Sequence, residues 1–168
     1  MFFKKKCPSC GTKNPQNAQS CASCGALFEL RYAEKRETIN EHDEAIRRNP
    51  QSAEDYFQRG FFYQKQGQSE AAIEDFNTAI SIDPQFAQAY SNRAYAYLNK
   101  ENYGQVIADC NKAININPKD YVSLLNRGIA YRLQGNDGQA KADFEKVIAS
   151  TSDSRVIEKT EQQLKELS

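Results

Sequence analysis

The feature that most constrains this chain is an internal repeat with a period of 34 residues, which runs from residue 52 onward. At fixed places in each period the chain carries a small residue, then a tyrosine, then a larger apolar residue. The small residues are Gly60, Ala94 and Gly128, the tyrosines are Tyr63, Tyr97 and Tyr131, and the larger residues are Phe76, Cys110 and Phe144. A period of this length indicates a supersecondary unit stacked on copies of itself, because neighbouring units together bury a core that one unit cannot bury alone.

This pattern of small and large residues over 34 positions resembles the tetratricopeptide repeat. The resemblance covers residues 52–153 as three units, 52–85, 86–119 and 120–153. It implies pairs of helices that approach closely at the small residues, with a proline ending the second helix. We expect helices at roughly 53–66, 69–82, 87–100, 103–116, 121–134 and 137–149. Gly67 and Gly135 are expected in the tight turns, and Glu101 replaces the turn glycine of the middle unit.

The repeat register continues beyond both ends of the three units. Ile39, Ala45 and Pro50 lie 34 residues before Ile73, Ala79 and Pro84, so residues 29–51 are expected to form a helix like the second half of a repeat. Residues 154–168 carry an apolar stripe on an otherwise polar segment, formed by Val156, Ile157, Thr160, Leu164 and Leu167. Such a segment is typical of the capping helix that closes a repeat array.

Four cysteines near the N-terminus come in two pairs, Cys7 with Cys10 and Cys21 with Cys24. Two residues separate the members of each pair, so that one tight turn can present both sulfurs to one ion, and Zn²⁺ takes four such ligands tetrahedrally. The segment resembles a short zinc ribbon, expected to occupy residues 1–28 and to hold one structural Zn²⁺. A pair of disulfides, which a reducing cytoplasm disfavours, and an iron tetrathiolate are the alternatives.

The expected fold class is therefore all-α, a tetratricopeptide-type solenoid of about three repeats with a half-repeat, a capping helix and a preceding zinc ribbon. The chain carries 22 basic and 22 acidic side chains, and this balance argues against strong sequence-independent binding of nucleic acid. The first residues do not resemble a secretory signal, and no run approaches the roughly 18 apolar residues of a membrane span. We expect a cytoplasmic protein.

Arginine and aspartate recur with the repeat. Arg59, Arg93 and Arg127 share one position, and Asp75, Asp109 and Asp143 follow sixteen residues after each. Three matching sets predict partly buried salt bridges between helices. The spacing leaves open whether an arginine pairs within its own unit or with the preceding one. The alternative is an anionic-ligand site lined by the arginines, although each arginine has an acid available.

Two single residues have a packing interpretation. Cys110 replaces a large aromatic residue among apolar neighbours, which favours a buried and inert thiol. His42, the one histidine of the chain, stands at the repeat position of Phe76. We expect it to pack rather than to bind metal, because the zinc already has four ligands.

The resemblance also implies a binding surface, since extended peptides lie along the concave face of the first helices in this family. The corresponding positions hold Phe57, Gln58, Phe61 and Gln64 in the first unit, Ser91, Asn92, Tyr95 and Asn99 in the second, and Leu125, Asn126, Ile129 and Arg132 in the third. Gln58, Asn92 and Asn126 are 34 residues apart and are expected to form a column of amides that can bond a peptide backbone. The alternative is that Phe57, Phe61, Leu125 and Ile129 are ordinary packing between neighbouring helices.

The family's clamp for the C-terminal carboxylates of chaperones is not matched. Its lysines and arginine would fall at Phe57, Val122 and Asn126, and only Asn92 agrees.

We expect a non-enzymatic adaptor that binds a protein or peptide partner in the groove. The alternative is a zinc-ribbon factor associated with nucleic acid or transcription, which Lys4, Lys5, Lys6 and Lys13 favour. The sequence has no nucleophile–base set and no glycine-rich phosphate loop that would support an enzyme.

Overall fold

Helices recur along the chain with the period of the sequence. A computed structural model describes residues 4–7, 10–15, 20, 22–23 and 39–167. The helices are α1 (residues 39–48), α2 (Ala53–Lys65), α3 (Ser69–Ile82), α4 (Ala87–Leu98), α5 (Tyr103–Ile116), α6 (Tyr121–Leu133), α7 (Asp137–Ser150) and α8 (Ser154–Lys165). The all-α solenoid is confirmed, and the ends of the six repeat helices differ from the expected ends by at most two residues.

Polar side chains begin several of these helices. The hydroxyl of Ser52 accepts a hydrogen bond from the N–H of Asp55 at 3.2 Å, and a carboxylate oxygen of Asp120 accepts from the N–H groups of Val122 and Ser123. Such caps pair backbone donors that the first turn of a helix leaves without a partner. Within the described part of the chain, no helix combines the length and the apolar composition needed to cross a membrane.

The two helices of each repeat are joined by a turn that needs one residue with positive φ. Gly67 and Gly135 fill this place with φ of 75° and 76°, and Glu101 fills it in the middle unit with φ of 57°. This conformation is unfavourable for a residue with a Cβ atom. The N–H of Glu101 nevertheless donates to the carbonyl of Leu98 at 3.0 Å, the bond that Gly67 makes to Gln64. The turn of the middle unit therefore keeps the geometry of its glycine counterparts.

A small residue faces a large one where the two helices of a repeat approach most closely. A Cβ atom placed on Gly128 would lie 2.6 Å from Cε1 of Phe144, and one on Gly60 would lie 2.9 Å from Cε1 of Phe76. Both phenylalanines are fully buried. Glycine is therefore required at these two positions by contact with the ring, since an added carbon would overlap it.

The middle unit makes the same contact with a different pair. Ala94 and Cys110 occupy the equivalent places, and both are fully buried in a cluster that also contains Val106 and Ala130. Because cysteine is smaller than phenylalanine, it can accommodate the methyl group of alanine opposite it. Burial raises the pKa of the Cys110 thiol to about 12, which keeps it protonated at neutral pH. The predicted burial of this thiol is confirmed.

Three bidentate ion pairs connect the first and second helices of the repeats. In each pair the Nε and Nη2 atoms of the arginine donate to the two carboxylate oxygens over 2.6–2.8 Å. The pairs are Arg59 with Asp75, Arg93 with Asp109 and Arg127 with Asp143. The aspartates are buried, so the predicted salt bridges are confirmed, and each arginine pairs within its own unit.

Arg93 and Arg127 also reach the preceding repeat. The Nη1 atom of Arg93 donates to the side-chain oxygen of Asn77 at 2.6 Å, and that of Arg127 donates to Asn111 at 2.5 Å. Hydrogen bonds to Asp143 raise the pKa of the Arg127 guanidinium, and partial burial opposes this only in part. Each of the two guanidinium groups thus joins three helices and holds one repeat in register on the next.

The last helix covers the end of the array. On α8, Thr160 is fully buried and Val156, Ile157 and Leu164 are half-buried, as is Leu167, which directly follows the C-cap residue Glu166. These positions recur every three or four residues, so they lie on one side of the helix. The helix packs against α7. The expected C-terminal cap is present.

The chain divides into two compact units, residues 1–45 and residues 46–168, and the N-terminal residues belong to the first of them. In the first unit, β1 (Lys4–Lys6) pairs antiparallel with β2 (Lys13–Pro15), and Lys5 lies opposite Asn14. This hairpin brackets the first pair of cysteines. His42, for which we expected a packing role, is half-buried.

We predict that Arg93→Ala lowers the free energy of unfolding by about 1–3 kcal/mol, because it leaves the buried Asp109 without its charged partner. Urea denaturation followed by helical circular dichroism measures the change. The matched control is Arg155→Ala, since the side chain of Arg155 is 86% exposed and lies 3.5 Å from Asp153. Little change is expected for the control, because exposed ion pairs contribute little to stability. Equal effects of the two substitutions would contradict the structural role of Arg93.

We also predict that Gly128→Ala destabilises the protein by about 1–3 kcal/mol, since the methyl group must displace the buried ring of Phe144. Gly138→Ala provides the control. A Cβ atom at Gly138, inside α7, would meet nothing within 4 Å. That substitution should be neutral or stabilising by up to about 1 kcal/mol through helix propensity. The same denaturation experiment ranks the two variants, and a neutral Gly128→Ala would show that the helices do not need this close approach.

Candidate functional site

The first helices of the repeats present a repeated face. On α6, Val122, Leu125, Asn126, Ile129 and Arg132 follow one another at steps of three, one, three and three residues, which places them on one side of the helix. The 34-residue offset puts the equivalent residues on the same side of α2 and α4. We call the residues of α2, α4 and α6 at these positions the first-helix face.

The apolar residues predicted for this face differ in exposure. Tyr95 is 43% exposed. Phe57, Phe61, Leu125 and Ile129 are half-buried. The ring of Phe57 lies 4.9 Å from that of Phe86 and 5.8 Å from that of Phe76, measured between centroids. Phe57 therefore packs between neighbouring helices, which was the alternative to a role in peptide binding. Tyr95, in contrast, is open to solvent.

The polar residues of the face hydrogen-bond mostly to one another. The amide nitrogen of Gln58 donates to a carboxylate oxygen of Glu54 at 2.5 Å. The amide nitrogen of Asn92 donates to the carbonyl of Gln88 at 2.9 Å, while its side-chain oxygen accepts from Gln64 at 3.3 Å. The pair of Gln64 and Asn92 links the faces of the first two repeats.

Asn126, the third residue of the predicted amide column, has a different environment. It is only 5% exposed, whereas Gln58 and Asn92 are half-buried. The accessible part of the column therefore lies on the first two repeats. Among the described residues, the buried side-chain polar atoms without a hydrogen-bond partner are Oε1 of Gln64, Nδ2 of Asn126 and Nε of Arg132. All three belong to positions of the first-helix face.

An ion pair joins the far end of the face to the residue that caps the last helix. Arg132, near the end of α6, forms an ion pair with Glu166 at 3.1 Å, and Glu166 is the C-cap residue of α8. Asn99, which caps the C-terminus of α4, is exposed. Arg132 is therefore held by an acidic residue of this chain.

Two exposed residues of α6 were not among those predicted for the binding surface. Val122 is 44% exposed and Leu133 is 48% exposed. Their separation of eleven residues, three helical turns, places them on the same side of the helix as Leu125 and Ile129. This spacing is visible in the sequence and could have identified both residues.

A pocket of about 440 Å³ opens between the second and third repeats, beside Asn92. The residues that line it include four with carboxamide side chains and one acid, and they are Gln85, Ala87, Gln88, Ser91, Asn92, Ile116, Asn117, Asp120 and Val122. Asp120 supplies the charge of this lining, and its oxygens already accept hydrogen bonds from Val122 and Ser123. The pocket therefore offers hydrogen-bonding amides and a negative charge next to an apolar side chain.

The first cysteine pair lies on a turn at the end of the N-terminal hairpin. The N–H of Gly11 donates to the carbonyl of Cys7 at 2.8 Å, and Gly11 has φ of 75°. The side chain of Cys7 is buried, and Sγ of Cys10 lies 3.2 Å from the hydroxyl oxygen of Thr12. Cys21 and Cys24, the other two predicted ligands, lie outside the described residues.

This turn fits one half of a tetrathiolate site. It is closed by a hydrogen bond and a positive-φ glycine, as a turn that presents two sulfurs to one ion requires. The hydroxyl of Thr12 can donate to the Cys10 thiolate that such a site contains, and hydrogen bonds of this kind orient metal ligands. Zn²⁺ held by four cysteines would supply cross-linking of the segment rather than chemistry, because no coordination position stays open.

Family models match both parts of the chain. Models described as TPR repeat and tetratricopeptide repeat match residues 63–101, 87–120, 43–74 and 110–142, and a model described as zinc-ribbon domain matches residues 6–27. The search of curated proteins yields no match.

Solved structures of tetratricopeptide domains are similar to the chain. The second such domain of Spaghetti (RPAP3), bound to the HSP90 peptide SRMEEVD, is 33% identical, with a TM-score of 0.59 and coverage of 64% of this chain and 99% of that one. The second domain of human RPAP3 in complex with the HSP70 peptide SGPTIEEVD is 30% identical, with a TM-score of 0.60 and coverage of 65% and 88%. The tetratricopeptide domain of Arabidopsis OM64 is 27% identical, with a TM-score of 0.64 and coverage of 68% and 94%.

Proposed function

The chain belongs to the tetratricopeptide-repeat family, and from that premise we propose that it is an adaptor that binds an extended polypeptide on its first-helix face. Concave surfaces of stacked repeats are the usual binding surfaces of such arrays. The fold is typically that of a non-catalytic scaffold. The chemical class of the partner is inferred from the residues of the face.

The observation that carries this proposal is where the exposed apolar residues lie. In the described part of the chain, the large hydrophobic side chains that are exposed are Tyr95, Val122 and Leu133. All three belong to first helices, and none belongs to a second helix. Their restriction to the first helices supports this side of the array as the interaction surface.

The hydrogen-bonding groups of the same face support a polypeptide partner. Asn92 and Gln64 can exchange their mutual bond for bonds to a peptide backbone, because a carboxamide both donates and accepts. An extended chain supplies donors and acceptors at every residue.

The charges of the face argue for a partner without an acidic tail. RPAP3 domains similar to this chain were solved with the peptides SRMEEVD and SGPTIEEVD, whose C-termini are acidic. At the places of the basic clamp residues this chain has Phe57, Val122 and Asn126. The pocket beside Asn92 carries the carboxylate of Asp120, which repels a peptide carboxylate. We propose a segment with apolar side chains and with amide or basic groups for this pocket.

We predict that the double substitution Asn92→Ala and Tyr95→Ala weakens peptide binding about 10- to 100-fold, through loss of an anchoring aromatic side chain and of backbone hydrogen bonds. The probe is the tightest peptide selected by the parent protein from a random library, and fluorescence anisotropy measures its Kd. Lys112→Ala, an exposed change on the second helix α5, is the matched control and should leave Kd unchanged. The peptide SRMEEVD should bind more weakly than the selected peptide.

Two outcomes would contradict this function. If the double variant retains the parental Kd, the first-helix face is not the binding surface. A double variant that loses thermal stability, while its folded fraction retains the parental Kd, identifies these side chains as packing residues. Tighter binding of SRMEEVD than of the selected peptide would overturn the preference against acidic tails.

We further propose that one structural Zn²⁺ is bound by Cys7, Cys10, Cys21 and Cys24. The match of a zinc-ribbon model to residues 6–27 and the closed turn at Cys7 and Cys10 support this assignment. Such a segment is too short to fold on apolar burial alone, so the metal supplies the folding free energy.

We predict that metal analysis of the purified protein finds about one Zn²⁺ per chain and that Cys21→Ser removes most of it. Cys110→Ala is the control, since Cys110 lies in the core of the repeats and should not affect zinc content. The helical circular dichroism of Cys21→Ser should persist, because the repeats bury their own core. Unchanged zinc in Cys21→Ser would refute the assignment, and loss of most helicity would refute the independence of the repeats from the ribbon.

A further inference from the structure

Asn14 is a buried polar residue in the N-terminal unit, with 1% of its surface exposed. Its side chain bonds in two directions. Nδ2 donates to the carbonyl of Thr12 at 2.8 Å, and Oδ1 accepts from the backbone N–H of Ala22 at 2.9 Å. A buried carboxamide with both ends satisfied holds the segments that it contacts, because breaking either bond leaves a group without its partner.

These two contacts lie next to the two cysteine pairs. The carbonyl of Thr12 also accepts from the N–H of Cys7 at 2.8 Å, so this carbonyl belongs to the turn of the first pair. Ala22 directly follows Cys21 in the sequence, at the start of the second pair. The carboxamide of Asn14 therefore connects the turn of the first pair to the backbone of the second pair.

We propose that Asn14 is a positioning residue of the zinc site, which holds the two cysteine pairs at the separation that one ion requires. This inference rests on the proposed zinc site. Asn14 acts through the bond to Ala22, which links the pairs, rather than through the bond to Thr12, which is local to the hairpin. A site that is arranged before the metal binds loses less conformational freedom on binding, and residues that orient metal ligands typically contribute 10- to 100-fold in metal affinity.

Two substitutions, one at Asn14 and one at Ala22, separate these two side-chain bonds. Asn14→Leu has a similar volume and removes both bonds. Ala22→Pro removes only the N–H that bonds Oδ1 of Asn14, and proline already stands at the equivalent place of the first pair, as Pro8. Lys13→Ala, an exposed change at the neighbouring position of β2, is the control.

The experiment measures the zinc Kd of the full chain and its variants by competition with a chromophoric chelator. We expect Asn14→Leu and Ala22→Pro each to raise the Kd about 10- to 100-fold, and Lys13→Ala to stay within about threefold of the parent. The absorption spectrum of the cobalt-loaded protein should be the same tetrahedral thiolate spectrum in all four proteins, because Asn14 is not a ligand. Circular dichroism should show that the repeats remain helical throughout.

The other outcomes overturn the proposal in distinguishable ways. A raised Kd in Asn14→Leu with a parental Kd in Ala22→Pro would assign the effect to the bond with Thr12, and hence to the hairpin alone. A parental Kd in Asn14→Leu would remove any role in metal binding. If the parent itself binds no zinc, the zinc site is wrong, and the positioning role is refuted with it.

Discussion

The stacking of the repeats depends on the guanidinium groups that join their helices. Arg93 binds both oxygens of Asp109 within its own repeat and the side-chain oxygen of Asn77 in the repeat before it. Arg127 repeats this arrangement one unit later. Because a guanidinium group is planar and presents its donors in a fixed geometry, these bonds define the angle and the offset between successive units more sharply than apolar packing does. The same carboxylates are acceptable in a buried place only because the arginines neutralise them.

The first-helix face is a consequence of this stacking. Once the second helices hold their register, the equivalent positions of α2, α4 and α6 repeat at fixed intervals, and their side chains form one continuous surface. Charge is largely absent from the middle of this surface, because Arg59, Arg93 and Arg127 are turned toward the second helices and pair with the aspartates there. Tyr95 and Val122 remain open, beside the amides of Gln64 and Asn92. Such a surface suits a polypeptide backbone with apolar side chains better than it suits an anion.

The N-terminal unit is stabilised by different physics. The described part of this unit buries Cys7 and Asn14, a thiol and a carboxamide, rather than a cluster of large apolar side chains. Its order therefore depends on hydrogen bonds such as those of Asn14 and, in our proposal, on the metal. The repeats instead bury Phe76, Val106 and Phe144 and derive their stability from apolar area and close packing. This difference is why a single cysteine substitution is expected to affect one unit and not the other.

The sequence by itself determined the helices, the pairing of small with large residues and the spacing of the cysteines. It did so because these features depend on local periodicity, which is the same in every copy of the repeat. The turn at Glu101 and the contact of Ala94 with Cys110 show that even the departures from the pattern keep its geometry. Only the tertiary structure decided that Arg93 binds Asp109 and Asn77 rather than Asp75. Only the tertiary structure showed that Asn126 is buried while Asn92, at the same repeat position, is accessible. Repeat position specifies where a side chain stands on its own helix, but partners and burial depend on what the neighbouring helices supply, and these neighbours change toward the ends of the array.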